Sequence, residues 1–345
     1  MNLRTAFEAQ ARNNAALGSP FTARILRLLG ARLTPDSALG ARLHGWPGDI
    51  GPSGASLPLR LLGGLHALVL GGASPALIAC YPPNRAPDDA GLWAAIEQAL
   101  AQHETFLNRW IDSPPQTNEV RRSAALIAAG HWLADRFGLP LVLSELGASA
   151  GLNLNWDAYA LRVNDAHFGP ANPALALAPD WRGAPPPLAL PQVVGRRGAD
   201  LNPLNPADPD HGLRLLAYLW ADQPERLART RAAMALPAAP VDRADAAPWL
   251  ERRLASTHPG ALHLVYHTIA WQYFPPQTRA ACSEALEQAG ARATQNAPLA
   301  HLAMEADGAK GNQGAALTLR LWPQNRTITL ARVDFHGRWL DWQAD

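Results

Sequence analysis

An acid, two glycines and a serine alternate with small or apolar residues in Glu145-x-Gly147-x-Ser149-x-Gly151, the stretch of this chain best suited to bind or react. An apolar run, Leu141 to Leu146, meets an acid, and a loop of small residues follows. A segment of helical character, Leu152 to Tyr159, comes next, so a strand, a tight turn and a helix start are expected. Two chemistries use such a turn. One cradles a nucleotide-like cofactor against glycines and a helix N-terminus. The other places a nucleophilic serine on a sharp elbow, because Gly147-Ala148-Ser149-Ala150-Gly151 also spells G-x-S-x-G. In the second case Ser149 needs an acid and then a histidine. Asp242 or Asp245 could supply the acid, and His267, His301 or His336 the histidine. An elbow has no need of Glu145, and it normally follows several strands. Here the preceding 110 or so residues read as helical, so the cradle leads.

Composition narrows the setting. The chain has 345 residues, 48% of them hydrophobic, and a formal net charge of +1. That balance gives no electrostatic case for nucleic acid or an anionic membrane. Lys310 is the only lysine. Cys80 and Cys282 stand far apart with no C-x-x-C context, so no disulfide framework or zinc site is expected and a reducing cytoplasm fits. His44, His66 and His103 show no metal-ligand spacing. Met1 to Asn14 carries Arg4, Glu8 and Arg12 and lacks the apolar core of a signal peptide. Between Arg60 and Arg85 there is no Asp, Glu, Lys or Arg, a length that could span a bilayer. Gly63, Gly64, Gly71, Gly72 and Pro75 break it, so a buried helix over Leu57 to Leu70 and a turn are expected instead.

The elements that must position the loop follow from periodicity. Residues 1–112 read as a helical cap domain. The break at Asp112-Ser113-Pro114-Pro115 opens a second domain, 113–345, whose first helix ends at Gly138-Leu139-Pro140. Strands are expected at 141–146, 192–195, 240–243, 261–267 and 299–305, with helices at 211–234, 247–255 and 277–290 between them. Residues 160–190 form a Pro/Gly-rich insertion. The tail alternates with period two over 315–322 and 326–333, with Pro323-Gln324-Asn325 between, which predicts a hairpin. The fold class is therefore α/β: a helical N-terminal domain, then a Rossmann-like, seven-stranded sheet, parallel with a C-terminal antiparallel hairpin.

Glu145-x-Gly147-x-Ser149-x-Gly151 resembles the D/E-x-G-x-G-x-G loop of S-adenosylmethionine-dependent methyltransferases, with Ser149 in place of the middle glycine. That resemblance implies S-adenosylmethionine as cofactor, held by Glu145, Gly147, Ser149 and Gly151. It implies that Asp200, after the second strand, holds the ribose hydroxyls, and that Asp245, after the third, accepts from the adenine amine. It implies that Asn118 and Arg122, just before the first strand, cover the cofactor, with Arg122 pairing the methionine carboxylate. Asn153, which opens the helix after Gly151, is counted with the cofactor-binding residues. His267, at the end of the fourth strand, is the general-base candidate. Tyr266, Trp271 and Tyr273 would line the acceptor pocket. Phe274-Pro275-Pro276 departs from the N/D-P-P-Y/F signature of amino-group methyltransferases.

Longer phrases are similar to an uncharacterised prokaryotic family, domain of unknown function 2332. They are Ser113 to Val120, Glu145 to Leu154, Asp200 to Leu204, Asp222 to Arg226, Trp271 to Tyr273 and Asp334 to Trp339. The leading expectation is a methyltransferase acting on a small molecule, with no metal, nucleic acid or membrane partner; the sequence leaves the oligomeric state open. A non-catalytic cofactor- or nucleotide-binding protein on the same fold is the alternative, and a serine hydrolase through Ser149 the third.

Overall fold

A computed structural model describes residues 2–52, 54–309 and 313–344. Lys310 lies outside them. In chain order the α-helices are α1 (Leu3–Ala16), α2 (Pro20–Arg32), α3 (Ala38–His44), α4 (Leu57–Leu70), α5 (Pro75–Cys80), α6 (Asp89–Gln102), α7 (Glu104–Trp110), α8 (Ser123–Phe137), α9 (Pro209–Ala217), α10 (Pro224–Met234), α11 (Ala246–Leu254) and α12 (Pro276–Arg292). The chain forms two compact units, one of Met1–Thr117 with Pro206–Arg231, the other of Asn118–Asn205 with Ala232–Asp345.

The first unit is helical, and side chains explain why residues 206–231 belong to it. Asp222 caps α2 from a distance, accepting from the Phe21 amide at 2.9 Å and from the Ser19 hydroxyl. His66 of α4 hydrogen-bonds the Ala217 carbonyl at 3.1 Å. Gly63 and Gly64, which weaken the helix on propensity, are contacts instead. A Cβ at Gly63 would lie 2.5 Å from the Tyr218 ring, and one at Gly64 2.8 Å from Leu107. The charge-free stretch is split into α4 and α5 at Gly71–Ser74, as its glycines require. No helix among the described residues is long and apolar enough to cross a membrane.

The second unit is built on a sheet. Its strands, with those of a small side sheet, are β1 (Leu141–Leu146), β2 (Ala160–Val163), β3 (Ala166–Phe168), β4 (Ala176–Leu177), β5 (Asp180–Arg182), β6 (Val193–Asp200), β7 (Val241–Arg243), β8 (Leu262–Thr268), β9 (Leu299–Glu305), β10 (Ala315–Trp322), β11 (Arg326–Val333) and β12 (Trp339–Trp342). The main sheet runs β5-β12-β11-β10-β9-β8-β1-β6-β7, and β3-β2-β4 form the side sheet. Strands β7, β6, β1, β8 and β9 are parallel. Every residue of β1 and β8 is buried, as expected of central parallel strands.

The fold is α/β as the sequence predicts, with two differences in the sheet. It has nine strands among the described residues rather than seven. The expected hairpin continues as a meander, because Asp334 accepts from the His336 and Arg338 amides and from the Arg338 guanidinium, turning the chain back into β12. The insertion then supplies β5, which pairs with β12 and covers its edge. The segment after Gly151 also differs: it is a 3-10 helix, Leu152–Ala158, kinked at Asn155, rather than an α-helix.

Helix α8 approaches this segment closely. A Cβ at Gly130 would stand 2.4 Å from the ring of fully buried Trp156. Gly130→Ala is therefore expected to destabilise the protein by about 1–3 kcal/mol through overpacking. Urea unfolding checks this, and an unchanged midpoint would contradict it.

Candidate functional site

The chain leaves β1, builds β6 and β7 on one side, then crosses back to place β8 and β9 on the other. The carboxyl ends of β1 and β8 thus flank a topological switch point, where parallel α/β sheets bind ligands. Glu145 and the glycine loop stand at the end of β1, and Tyr266, His267 and Thr268 at the end of β8.

The loop holds its shape through left-handed residues at Gly147 (φ 69°), Ser149 (φ 54°) and Gly151 (φ 70°). Such φ values are easy for glycine and strained for serine. The loop is also packed on protein. A Cβ at Gly147 would meet Ala270 at 2.7 Å, and one at Gly151 would meet Val241 at 2.8 Å. The amides of Gly147 and Ala148 donate to the Ala199 carbonyl at 2.9 and 3.0 Å. The Ser149 amide donates to Asp200 Oδ2 at 2.9 Å, and the Leu152 amide to Asn118 Oδ1 at 2.9 Å.

Several expected ligand contacts are therefore already structural. Asp200 also accepts from the Asn202 amide at 2.9 Å, so each of its oxygens ties a loop amide. Asp245 caps α11 through the Ala247 amide at 3.0 Å and accepts from the Thr278 hydroxyl at 3.4 Å. Asn153 does not cap the segment it opens. Its side chain accepts from Ser123 at 2.8 Å and donates to the Glu119 carbonyl at 3.3 Å, stitching the loop to the start of α8. Arg122 donates to the carbonyls of Thr268 (3.0 Å) and Phe335 (2.9 Å), bracing the end of β8.

Glu145 is different. It is 2% exposed, and its Oε2 has no hydrogen-bond partner. Burial first, and then the Asp200 carboxylate, push its pKa well above the ordinary carboxyl value; Arg122 and Tyr266 pull the other way. Ser149 Oγ is also buried and also lacks a partner. With no histidine bonded to it, Ser149 has no base in place for a hydrolase triad. Asp242 is likewise engaged, by Arg197 at 2.6 and 2.7 Å and by Trp249 at 2.7 Å.

Register divides the remaining residues between the two faces of the sheet. Glu145 pairs with Tyr266, so both side chains point to one face, where the Tyr266 hydroxyl donates to the Asn153 carbonyl at 3.1 Å. His267, one residue on, points to the other. It is 1% exposed, and both ring nitrogens are engaged: Nδ1 with Glu305 at 2.7 Å and Nε2 with His301 at 3.0 Å. Trp271 stacks on it with ring centroids 4.8 Å apart, while Tyr273 is 74% exposed. His267 is thus not brought together with Glu145, and no ring nitrogen is left to take a substrate proton.

Sequence reasoning passes over Glu305. Burial raises its pKa, but hydrogen bonds from His267 and from the amides of Ala270 and Trp271 outweigh that and hold it below the usual range. The signal was available, because Glu305 is an acid at the carboxyl end of a parallel strand, the criterion that selects Glu145. Ile269, with φ 50°, was not legible: a β-branched residue in the left-handed region is an outlier that marks strain. Among the described residues, no group of three or more His, Cys, Asp or Glu is arranged to hold a metal ion.

A family model described as "uncharacterized protein conserved in bacteria (DUF2332)" matches residues 4–342. The chain belongs to the DUF2332 family. No curated protein matches it. The phrases that resemble this family map onto joints of the structure. Asp222 caps α2, Asp334 makes the turn into β12, and Glu145 to Leu154 form the loop itself.

Proposed function

We propose that this DUF2332 chain binds S-adenosylmethionine at the carboxyl ends of β1 and β8 and transfers its methyl group to a small-molecule acceptor. The observation that carries the reading is Glu145, a buried carboxyl with an unpartnered oxygen at the switch point, directly before the glycine loop. A buried polar atom without a partner is costly, and a cationic amine would satisfy it. The Ser149 hydroxyl offers a second unpartnered atom on the same loop. These two groups fit an amine- and hydroxyl-bearing cofactor, which would supply an electrophilic methyl group when bound.

The chain's own part is binding and orientation. Glu145 holds the amine, and Arg122 keeps the end of β8 in register by bonding the Thr268 carbonyl. Asp200 fixes the Ser149 amide and so the loop's left-handed turn. Positioning and exclusion of water supply the rate, since both ring nitrogens of His267 are engaged. Tyr273, 74% exposed, would offer an aromatic surface to the acceptor. The proposal includes a reducing, cytoplasmic setting, supported by Cys80 and Cys282 being buried free thiols.

A second reading is a non-catalytic cofactor- or nucleotide-binding protein. The engaged nitrogens of His267 and the capping roles of Asp200 and Asp245 favour it. Equilibrium dialysis with labelled S-adenosylmethionine, S-adenosylhomocysteine and adenosine nucleotides separates the proposal from a nucleotide-binding protein, and methyl transfer from labelled S-adenosylmethionine separates it from a non-catalytic cofactor binder. The proposal expects saturable binding of the first two below millimolar concentration. Binding of nucleotides alone would transfer the case to the second reading.

A further inference from the structure

We propose that Glu305 is a positioning residue: it clamps the strained turn after β8 and, through Ala270, sets the glycine loop that follows β1. The inference rests on the reading of that loop as the ligand cradle. The chain of contacts is continuous. Ile269 sits at φ 50°, where its branched side chain crowds the backbone, and its amide donates to the Met304 carbonyl at 2.9 Å. Directly after it, Glu305 Oε1 accepts from the amides of Ala270 (2.9 Å) and Trp271 (3.1 Å). The same oxygen accepts from His267 Nδ1 at 2.7 Å, which ties the turn to the strand it leaves. Arg122 holds the other side through the Thr268 carbonyl at 3.0 Å. Trp271 stacks on the His267 ring, with centroids 4.8 Å apart.

The turn so held presents Ala270 to Gly147. The space a Cβ on Gly147 would fill is taken by the Ala270 methyl at 2.7 Å, with Phe274 beside it at 3.8 Å. Close packing transmits displacement, so a turn that relaxes at Ile269 removes the support under Gly147. An αL conformation at a β-branched residue persists only where surrounding contacts over-determine it. Among these contacts the Glu305 carboxylate is the anionic member and the Arg122 guanidinium the cationic one. Its role is indirect, since it reaches the cradle only through the backbone of residues 270 and 271.

The test compares the wild type, Glu305→Gln, and Glu305→Gln combined with Ile269→Gly, which removes the strain that the clamp opposes. Hydrogen exchange is followed at Ala270 and Trp271 and at Gly147 and Ala148. Glu305→Gln is expected to speed exchange at least tenfold at both pairs, and the double variant to restore protection at Gly147 and Ala148. Faster exchange at 270 and 271 with none at 147 and 148 overturns the proposal. So does a double variant that fails to regain protection or to fold. S-adenosylhomocysteine affinity in the same proteins is expected to weaken at least tenfold and recover in the double variant. A wild type that does not bind refutes the cofactor reading, while the exchange experiment still decides on the clamp.

Discussion

A Glu145→Gln variant taken from pH 7 to pH 5 is expected to lose about 4 kcal/mol of stability in the sheet-bearing unit, and the wild type distinctly less. Two histidines, one buried and one partly buried, set the larger figure. His263 is pushed down to about 3 by burial, then by His258 and Arg253, and its Nε2 is bonded to the Ser144 hydroxyl at 2.7 Å. His301 is pushed down to about 3 by burial, then by His267 and Arg320. Both stay neutral in the folded state, whereas in the unfolded chain they titrate near ~6.5. Their contribution is therefore present above that value and is lost as pH falls below it, at about 2 kcal/mol each by pH 5. His131, also lowered by burial, adds in the same direction.

Glu145 works with the opposite sign. Its folded pKa is raised, so its destabilising effect grows as pH rises above the unfolded carboxyl value and fades on acidification. That gain offsets part of the histidine loss in the wild type and is absent when the residue is glutamine. Urea unfolding at both pH values, followed by tryptophan fluorescence, reads the difference. Identical slopes in the two proteins would mean that Glu145 does not titrate as a buried, unpaired carboxyl.

The second large effect concerns ligand. Glu145→Gln is expected to weaken S-adenosylmethionine binding by at least about thirtyfold, the consequence of removing one partner of a buried charge pair. The thermal midpoint at pH 8 should stay the same or rise, because the variant no longer carries a carboxyl that ionises in a buried site. Loss of binding together with a lower midpoint would mean that the substitution damaged the fold. Dialysis and a thermal melt on the same preparation distinguish these results.

Much of the fold was legible because it rests on local rules. The β1 run, the Gly138-Leu139-Pro140 stop and the alternation of 315–322 with 326–333 are read from period and turn chemistry alone. The nine-stranded count was not, because β5 and β12 are short and acquire strand character only by pairing with each other. The grouping of residues 206–231 with the N-terminal helices depends on Asp222 reaching Phe21, a contact across 201 residues that no local pattern announces. An acid followed by a glycine loop marked the carboxyl end of β1. Whether each polar group faces a ligand or its neighbours was hidden, since Asp200, Asp245 and Asn153 have the side chains of binding residues and are engaged as caps and stitches. His267 illustrates the period of two: one position from Tyr266 in sequence, it lies on the opposite face.

In the proposed function, Glu145 meets a cationic cofactor at the end of β1. Isothermal titration of S-adenosylhomocysteine at pH 6, in two buffers of different ionisation enthalpy, tests it most directly. Burial raises the Glu145 pKa and a neighbouring amine would lower it, so binding is expected to release up to one proton, with that release absent in Glu145→Gln. No heat of binding at millimolar ligand, or binding with the same proton release in both proteins, would contradict it.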